Sequence, residues 1–175
     1  MNTQTGSFVM LRSMTMLCLL SVSLMACGFK LRGAVDLPEE LQKIYIAGSQ
    51  HSHLVRDLSE MLGYSAEVVQ NRTEADAVLV IKKEESDNRT LSVDSRGKVR
   101  ESEMRYVVVY SLVKSNGDVL LDNETLLLVR DFIDDENDVI GRTNESVVIS
   151  RDLKRDAAQQ ILRRIQALKP GSAVN

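Results

Sequence analysis

The feature that most constrains the fold of this chain is a series of β-rich segments, broken by glycine turns, between Ala77 and Val129. Val, Leu and Tyr concentrate in residues 78–81, 90–93, 105–113 and 119–129. Gly97 and Gly117 lie in two of the breaks, and glycine readily adopts the positive φ of a tight reversal. The pattern therefore predicts three consecutive antiparallel strands that form a meander. The polar residues 82–89 fit either half of one long strand or an exposed loop, and their periodicity does not distinguish the two.

Helical patterns flank the β-rich region on both sides. Before it, a short strand over 42–46 leads to a helix that Ser49 caps and Gly63 ends, and 66–69 form another short strand. After it, Thr143 or Asn144 caps a last helix with one apolar stripe. The predicted fold class is α+β, with two amphipathic helices packed on one face of a mainly antiparallel sheet.

Composition limits the classes of function that this chain can have. Its 175 residues suit one domain, and the net charge of -3 gives no general attraction to nucleic acid. Aromatic residues make up 4% of the chain and Trp is absent, whereas a surface that stacks bases is rich in them. We therefore expect no nucleic-acid partner.

The N-terminal segment has the pattern of an export signal. Arg12 precedes an uncharged, mostly apolar run over 14–25, which is shorter than the roughly 20 residues that span a bilayer. The run ends in Ala26 and Cys27, and this pair is typical of the bacterial lipobox, where the cysteine thiolate receives a diacylglycerol. The sequence predicts that 1–26 are a lipoprotein signal, whose translation starts at Met1 or Met10, and that Cys27 is the lipid-attachment residue. We expect one domain over 27–170 and a flexible tail over 171–175.

Convergent catalytic groups are scarce in this sequence. No Gly-x-Ser-x-Gly motif or phosphate-binding glycine loop occurs, so we expect neither an enzyme nor a cofactor. His51 and His53 point to different sides of a helix and have no third ligand nearby in sequence. The acidic run at 134–138 follows part of a calcium-loop pattern, but Val139 stands where such a loop needs glycine. We therefore expect no metal site.

Basic residues carry more information about function. Arg96, Lys98 and Arg100 crowd a turn between two strands, and Arg142 stands just before the predicted last helix. The turn residues are expected to reach into solvent, where they and Arg142 could bind phosphate groups. Their composition alone favours a solvated turn that keeps the protein soluble.

The start of the predicted mature chain, Cys27-Gly28-Phe29-Lys30-Leu31-Arg32-Gly33, resembles the opening of the LPS-assembly lipoprotein LptE family. The similarity continues over nearly the whole mature chain in the order of its parts. These parts are a short strand, a helix ending at Gly63, a basic glycine turn, a long hairpin, an Arg-Asp-Phe segment and a last helix opened by Asn144 and Glu145.

This resemblance implies a non-catalytic partner of the β-barrel translocon LptD, seated in the barrel lumen as a plug and aiding insertion of lipopolysaccharide into the outer leaflet. It implies lipopolysaccharide contacts at Arg96 with Lys98 in the glycine turn, where Ser95 is the alternative counterpart, and at Arg142. Gly28, in place of the Asp that retains lipoproteins in the inner membrane, fits an outer-membrane, periplasm-facing location.

One alternative remains open at this point. A tethered periplasmic lipoprotein could instead activate a cell-wall synthase, but such a protein usually needs a long Pro- or Ser-rich tether. Here strand-like sequence already begins near Ile44, which places the domain close to the membrane.

Overall fold

The computed structural model describes residues 37–133 and 139–168, with the side chains of 39 and 139–144 excepted. These residues belong to one compact unit, Val35–Asn175. The predicted signal, Cys27 and the predicted tail lie outside the described residues, as do the acidic run at 134–138 and the side chain of Arg142.

The described chain forms five strands and two α-helices. The strands are β1 (Lys43–Ala47), β2 (Glu67–Val68), β3 (Ala77–Val93), β4 (Val99–Lys114) and β5 (Val119–Ile133), and the helices are α1 (His53–Leu62) and α2 (Val139–Gln166). Two short 3-10 helices, Glu39–Leu41 and Arg72–Glu74, precede β1 and β3. Neither α1 nor the described part of α2 is long and apolar enough to cross a bilayer.

The strands form one sheet in the order β2-β1-β3-β4-β5. β3, β4 and β5 are the antiparallel meander that the sequence predicts, whereas β1 pairs in parallel with both β2 and β3. Helix α1 carries the chain from β1 back to β2, which is the connection that a parallel pair requires. The prediction of an α+β fold with a mainly antiparallel sheet is confirmed.

The polar residues 82–89 belong to one long strand, β3, rather than to a loop. Asp87 lies opposite Arg105 on β4 with 3.9 Å between Oδ2 and Nη1, and Arg89 lies opposite Glu103 with 3.4 Å between Nη2 and Oε1. Opposite charges that face each other across a ladder favour the strand state. The cross-strand partners therefore explain why these residues form a strand, which the periodicity of the sequence did not determine.

Both helices cover the same face of the sheet. Every second residue of β4 from Ser102 to Tyr110 is buried on this face. Arg130 of β5, which lies opposite Met104, reaches Asp156 of α2 at 3.3 Å between Nη2 and Oδ2. Helix α1 contributes three fully buried leucines, Leu54, Leu58 and Leu62. The predicted packing of two amphipathic helices on one face is confirmed.

The start of each helix differs from the sequence prediction. Ser52, not Ser49, caps α1, and its Oγ accepts a hydrogen bond from the Val55 backbone N–H at 3.3 Å. Helix α2 begins at Val139, so Thr143 and Asn144 lie inside it and Arg142 lies in its first turn rather than before it. A serine or threonine pattern marks several possible caps, and packing selects one of them.

Candidate functional site

The basic turn joins β3 to β4 and is built on Gly97. Gly97 has φ +80 and donates its N–H to the Asp94 carbonyl at 2.9 Å, while the Asp94 N–H reaches the Lys98 carbonyl at 2.7 Å. A side chain at Gly97 would be strained in this left-handed conformation. The turn is thus a rigid platform for the cations on it.

Asp94 organises this turn through both oxygens of its carboxylate. Oδ1 accepts the backbone N–H of Arg96 at 2.8 Å and that of Lys98 at 3.0 Å. Oδ2 accepts from the Arg96 side chain, at 3.1 Å from Nη2 and 3.3 Å from Nε. The Lys98 N–H first, and the Arg96 N–H next, hold the pKa of Asp94 below its usual value.

The pairing with Asp94 changes the expectation for Arg96. Its side chain is 75% exposed, as predicted, but its guanidinium already holds a carboxylate. A phosphate that binds Arg96 must therefore share or displace Asp94. Sequence analysis missed Asp94, although an Asp two residues before a cation and three before a glycine is a known turn signal.

The described structure brings together two of the three predicted lipopolysaccharide contacts and leaves the third undefined. Arg96 and Lys98 share one turn. Arg142 lies on α2 by its backbone, and its side chain is outside the described residues, so no distance to the turn is defined. The role of Arg142 stays a prediction, as does that of Cys27.

The histidine pair gives no metal site in the described structure. His53 is the first residue of α1, and its Nδ1 contacts the guanidinium of Arg56. Within 37–133 and 139–168, no group of three or more His, Cys, Asp or Glu side chains is placed to hold a metal ion.

A partly buried polar network connects α1 to the sheet. The Tyr106 hydroxyl donates to Glu84 Oε1 at 2.8 Å, and the Ser52 hydroxyl donates to Glu84 Oε2 at 2.6 Å. Ser52 is also the cap of α1, so one carboxylate on β3 fixes both the helix start and the central tyrosine. Burial, and after it the hydrogen bond with Glu84, raises the pKa of Tyr106 far above its usual value.

The face of the sheet opposite the helices carries exposed apolar side chains on β5. Leu127, Val129 and Ile133 are 48%, 44% and 67% exposed, and we call these three residues the β5 row, although the exposed Asp131 lies between the last two on the same face. Val107 of β4 lies opposite Leu127 and extends the apolar surface inward. Exposed apolar side chains grouped in this way commonly mark a protein or lipid contact.

Comparisons with known proteins identify what this chain is similar to. The sequence pattern of the LptE family, described as Lipopolysaccharide-assembly, matches residues 41–165. An LPS-assembly lipoprotein LptE of Photorhabdus laumondii is 27% identical over 157 residues, which cover 88% of this chain and 85% of that protein. The family match thus spans both helices and the whole sheet.

Solved structures agree with the sequence comparison. The solution NMR structure of an uncharacterized lipoprotein B from Nitrosomonas europaea has a TM-score of 0.68 and 29% identity, covering 80% of this chain and 91% of that one. The crystal structure of the rare lipoprotein B from Shewanella oneidensis has a TM-score of 0.61 and 21% identity, covering 69% and 91%. The second likeness shows a shared fold.

Proposed function

We propose that this chain, which belongs to the LptE family, binds lipopolysaccharide while it plugs an LptD-type β-barrel. Members of this family are non-enzymatic, membrane-associated lipoproteins of lipopolysaccharide assembly in Gram-negative bacteria. Lipid on Cys27 holds it at the outer membrane, facing the periplasm, with the folded domain in the barrel lumen. Arg96, Lys98 and Arg142 contact the lipopolysaccharide.

The basic turn is the observation that supports this proposal most directly. Lipopolysaccharide carries phosphates on its lipid A and inner core, and a guanidinium presents paired donors that match phosphate oxygens. Asp94 accepts the backbone N–H groups of Arg96 and Lys98, so the backbone of the turn stays ordered when the Arg96 guanidinium exchanges Asp94 for a phosphate. Lys98 stands two residues further along the same turn and adds a second cation.

The sheet face opposite the helices supports the barrel partner. Its β5 row is apolar, whereas its β3 side carries paired charges such as Lys83 with Glu85, 2.9 Å apart between Nζ and Oε2. A barrel lumen is polar and wet, and the paired charges of the β3 side suit it. We assign the β5 row to direct contact with the barrel wall, where its apolar side chains are removed from water.

Asp94→Asn is expected to tighten lipopolysaccharide binding by about two- to fivefold, because a neutral amide competes less well than a carboxylate with phosphate for the Arg96 guanidinium. The amide oxygen of asparagine can still accept the Arg96 and Lys98 N–H groups, so the turn is retained. Arg96→Asp with Arg142→Asp is expected to weaken binding and to leave the fold intact. Titration of the full-length protein in neutral detergent measures both effects.

The turn between β4 and β5 provides a matched control. Asp118→Asn makes the same change in charge at a turn that also contains a glycine of positive φ, Gly117. We expect no change in affinity for this variant. Equal affinities for Asp94→Asn, for Arg96→Asp with Arg142→Asp and for the unmodified protein would show that the basic turn does not bind the phosphates.

A large β-barrel is expected to co-purify in stoichiometric amount with the tagged full-length protein from outer membranes in mild detergent. Leu127→Asp with Val129→Asp is expected to reduce the recovered barrel severalfold, because charges on the β5 row cannot be buried against its wall. Tyr64→Asp with Val148→Asp is the control, since both residues are more than half exposed and lie off the β5 row. Recovery of a cell-wall synthase instead, or equal loss of the barrel in both variants, would contradict the proposal.

A further inference from the structure

A groove opens on the helix-covered side of the sheet because the two helices differ in length. Helix α1 has 10 residues and α2 has 28, which correspond to about 15 and 42 Å of helix. Helix α1 can therefore cover only part of the length of α2. Where α1 begins, at His53, a cavity of about 310 Å³ lies between the first half of α2 and strands β3 and β4.

The groove is cationic. Arg151 and Lys154 of α2 line it, and none of its lining residues is acidic. No ion pair joins either cation to any residue that the structure describes. Elsewhere on the same helix, by contrast, Arg164 is paired with Glu124 at 3.1 Å between Nη2 and Oε1. Two cations that form no ion pair with the described residues therefore face one cavity, in a chain whose net charge is -3.

The groove also has an apolar part. Met104 of β4, which is 5% exposed, and Val147 of α2, which is 53% exposed, line it together with the polar Asn88 of β3. Glu84 is committed to Tyr106 and Ser52 and does not line the groove. Cations beside apolar and amide groups match a ligand that has an anionic head and an apolar portion.

We propose that this groove is a second binding site for a phosphorylated glycolipid, separate from the basic turn. The phosphate binds Arg151 and Lys154, and the adjoining apolar part of the ligand packs against Val147 and Met104. The volume admits a phosphate with a part of the attached lipid or sugar, not a whole glycolipid. In taking lipopolysaccharide as the ligand, this inference rests on the proposed function.

The test is photo-crosslinking with the full-length protein in neutral detergent. A photoreactive amino acid replaces Val147 in the groove or, in a second protein, Ser95 in the basic turn. The probe ligands are a phosphorylated lipid A disaccharide and its dephosphorylated form. We expect the phosphorylated ligand to crosslink at position 147 and the dephosphorylated form to crosslink at least about tenfold less, because charge-assisted bonds dominate the site.

Charge-neutral variants of α2 separate specific from general attraction. Arg151→Gln with Lys154→Gln is expected to reduce crosslinking at position 147 at least tenfold, roughly the loss of one charge-assisted bond. Arg155→Gln with Arg163→Gln removes the same charge from exposed positions of the same helix that do not line the groove. This control is expected to retain most of the crosslinking. Equal loss in both variants would overturn the groove site in favour of unspecific electrostatics.

The two attachment positions separate this inference from the proposed function. Crosslinking at Ser95 without crosslinking at Val147 overturns the groove and leaves lipopolysaccharide binding at the turn intact. If crosslinking at Val147 persists in the Arg96→Asp variant, the groove is a separate site. If crosslinking at Val147 is lost in that variant, the groove and the basic turn are not separate sites. No crosslinking at either position overturns both proposals. If inorganic phosphate prevents crosslinking at position 147 at the same concentration as the glycolipid, the proposal that the groove binds an amphipathic ligand is overturned.

Discussion

Tyr106→Ala is expected to lower the free energy of unfolding by about 3–5 kcal/mol, the loss typical of a large aromatic side chain removed from a core. Tyr106 is 1% exposed and is the largest fully buried side chain among the described residues. It lies on the central strand of the meander, beneath the helices. The cavity that alanine leaves there cannot be filled by a flexible side chain from the surface. Denaturant unfolding, followed by circular dichroism, measures the change.

Tyr106→Phe separates the hydroxyl from the ring. This variant keeps the volume but removes the 2.8 Å hydrogen bond to Glu84, and we expect a loss of about 1–2 kcal/mol at neutral pH. The folded state raises the pKa of Tyr106, so the stabilisation is complete below about pH 10, where an unfolded tyrosine starts to ionise, and declines as the pH rises further. The stability difference between the two proteins is therefore expected to shrink above pH 10.

Tyr64 provides the control for these experiments. It is 65% exposed, and Tyr64→Ala is expected to change stability by no more than about 0.5 kcal/mol. If Tyr106→Ala were as mild as Tyr64→Ala, the helices would not be packed on the central strand as described. A difference between Tyr106→Phe and the unmodified protein that stays constant from pH 8 to 11 would exclude the buried hydroxyl as its source.

Cys27→Ala is expected to abolish lipid attachment and signal cleavage completely. The thiolate of Cys27 is the nucleophile of the predicted lipobox, and a serine or alanine in its place cannot accept the diacylglycerol. Each buried CH₂ of an acyl chain contributes about 0.8 kcal/mol to membrane binding, so the variant loses essentially all of its anchoring energy at this position. Intact-mass analysis and labelled-palmitate incorporation measure the outcome.

Cys18 provides an internal control for this prediction. It lies inside the predicted signal, and Cys18→Ala is expected to be processed and lipidated like the unmodified protein. A Cys27→Ala protein that is still acylated, or a mature protein that begins at a residue other than 27, would show that the lipobox is not used.

Much of the sheet could be predicted from local patterns. Strands β4 and β5 alternate or concentrate apolar residues, and Gly97 and Gly117 both have the positive φ that the turns require. These signals depend on neighbours in sequence, which is why they are readable without a structure. The placement of Arg96 and Lys98 on an exposed turn follows from the same local signals.

Other features depend on partners that are distant in sequence. Ser52 is the cap of α1 partly because its hydroxyl also donates to Glu84, 32 residues away on β3. Ser111 is 2% exposed on β4, and its Oγ accepts the Asn123 N–H at 3.0 Å where β5 bulges at φ 47. Neither hydrogen bond is reflected in the periodicity of the sequence, so neither could be predicted.

By itself, the sequence determined the α+β class and the basic turn, and it predicts export and lipidation at Cys27, because each of these depends on the type and spacing of adjacent residues. Only the tertiary structure decided that the β5 row stays exposed and that Arg151 and Lys154 share a groove with strands β3 and β4. These two features depend on which face of the sheet the helices cover and on the difference in length between the helices. Both are set when separate elements pack together.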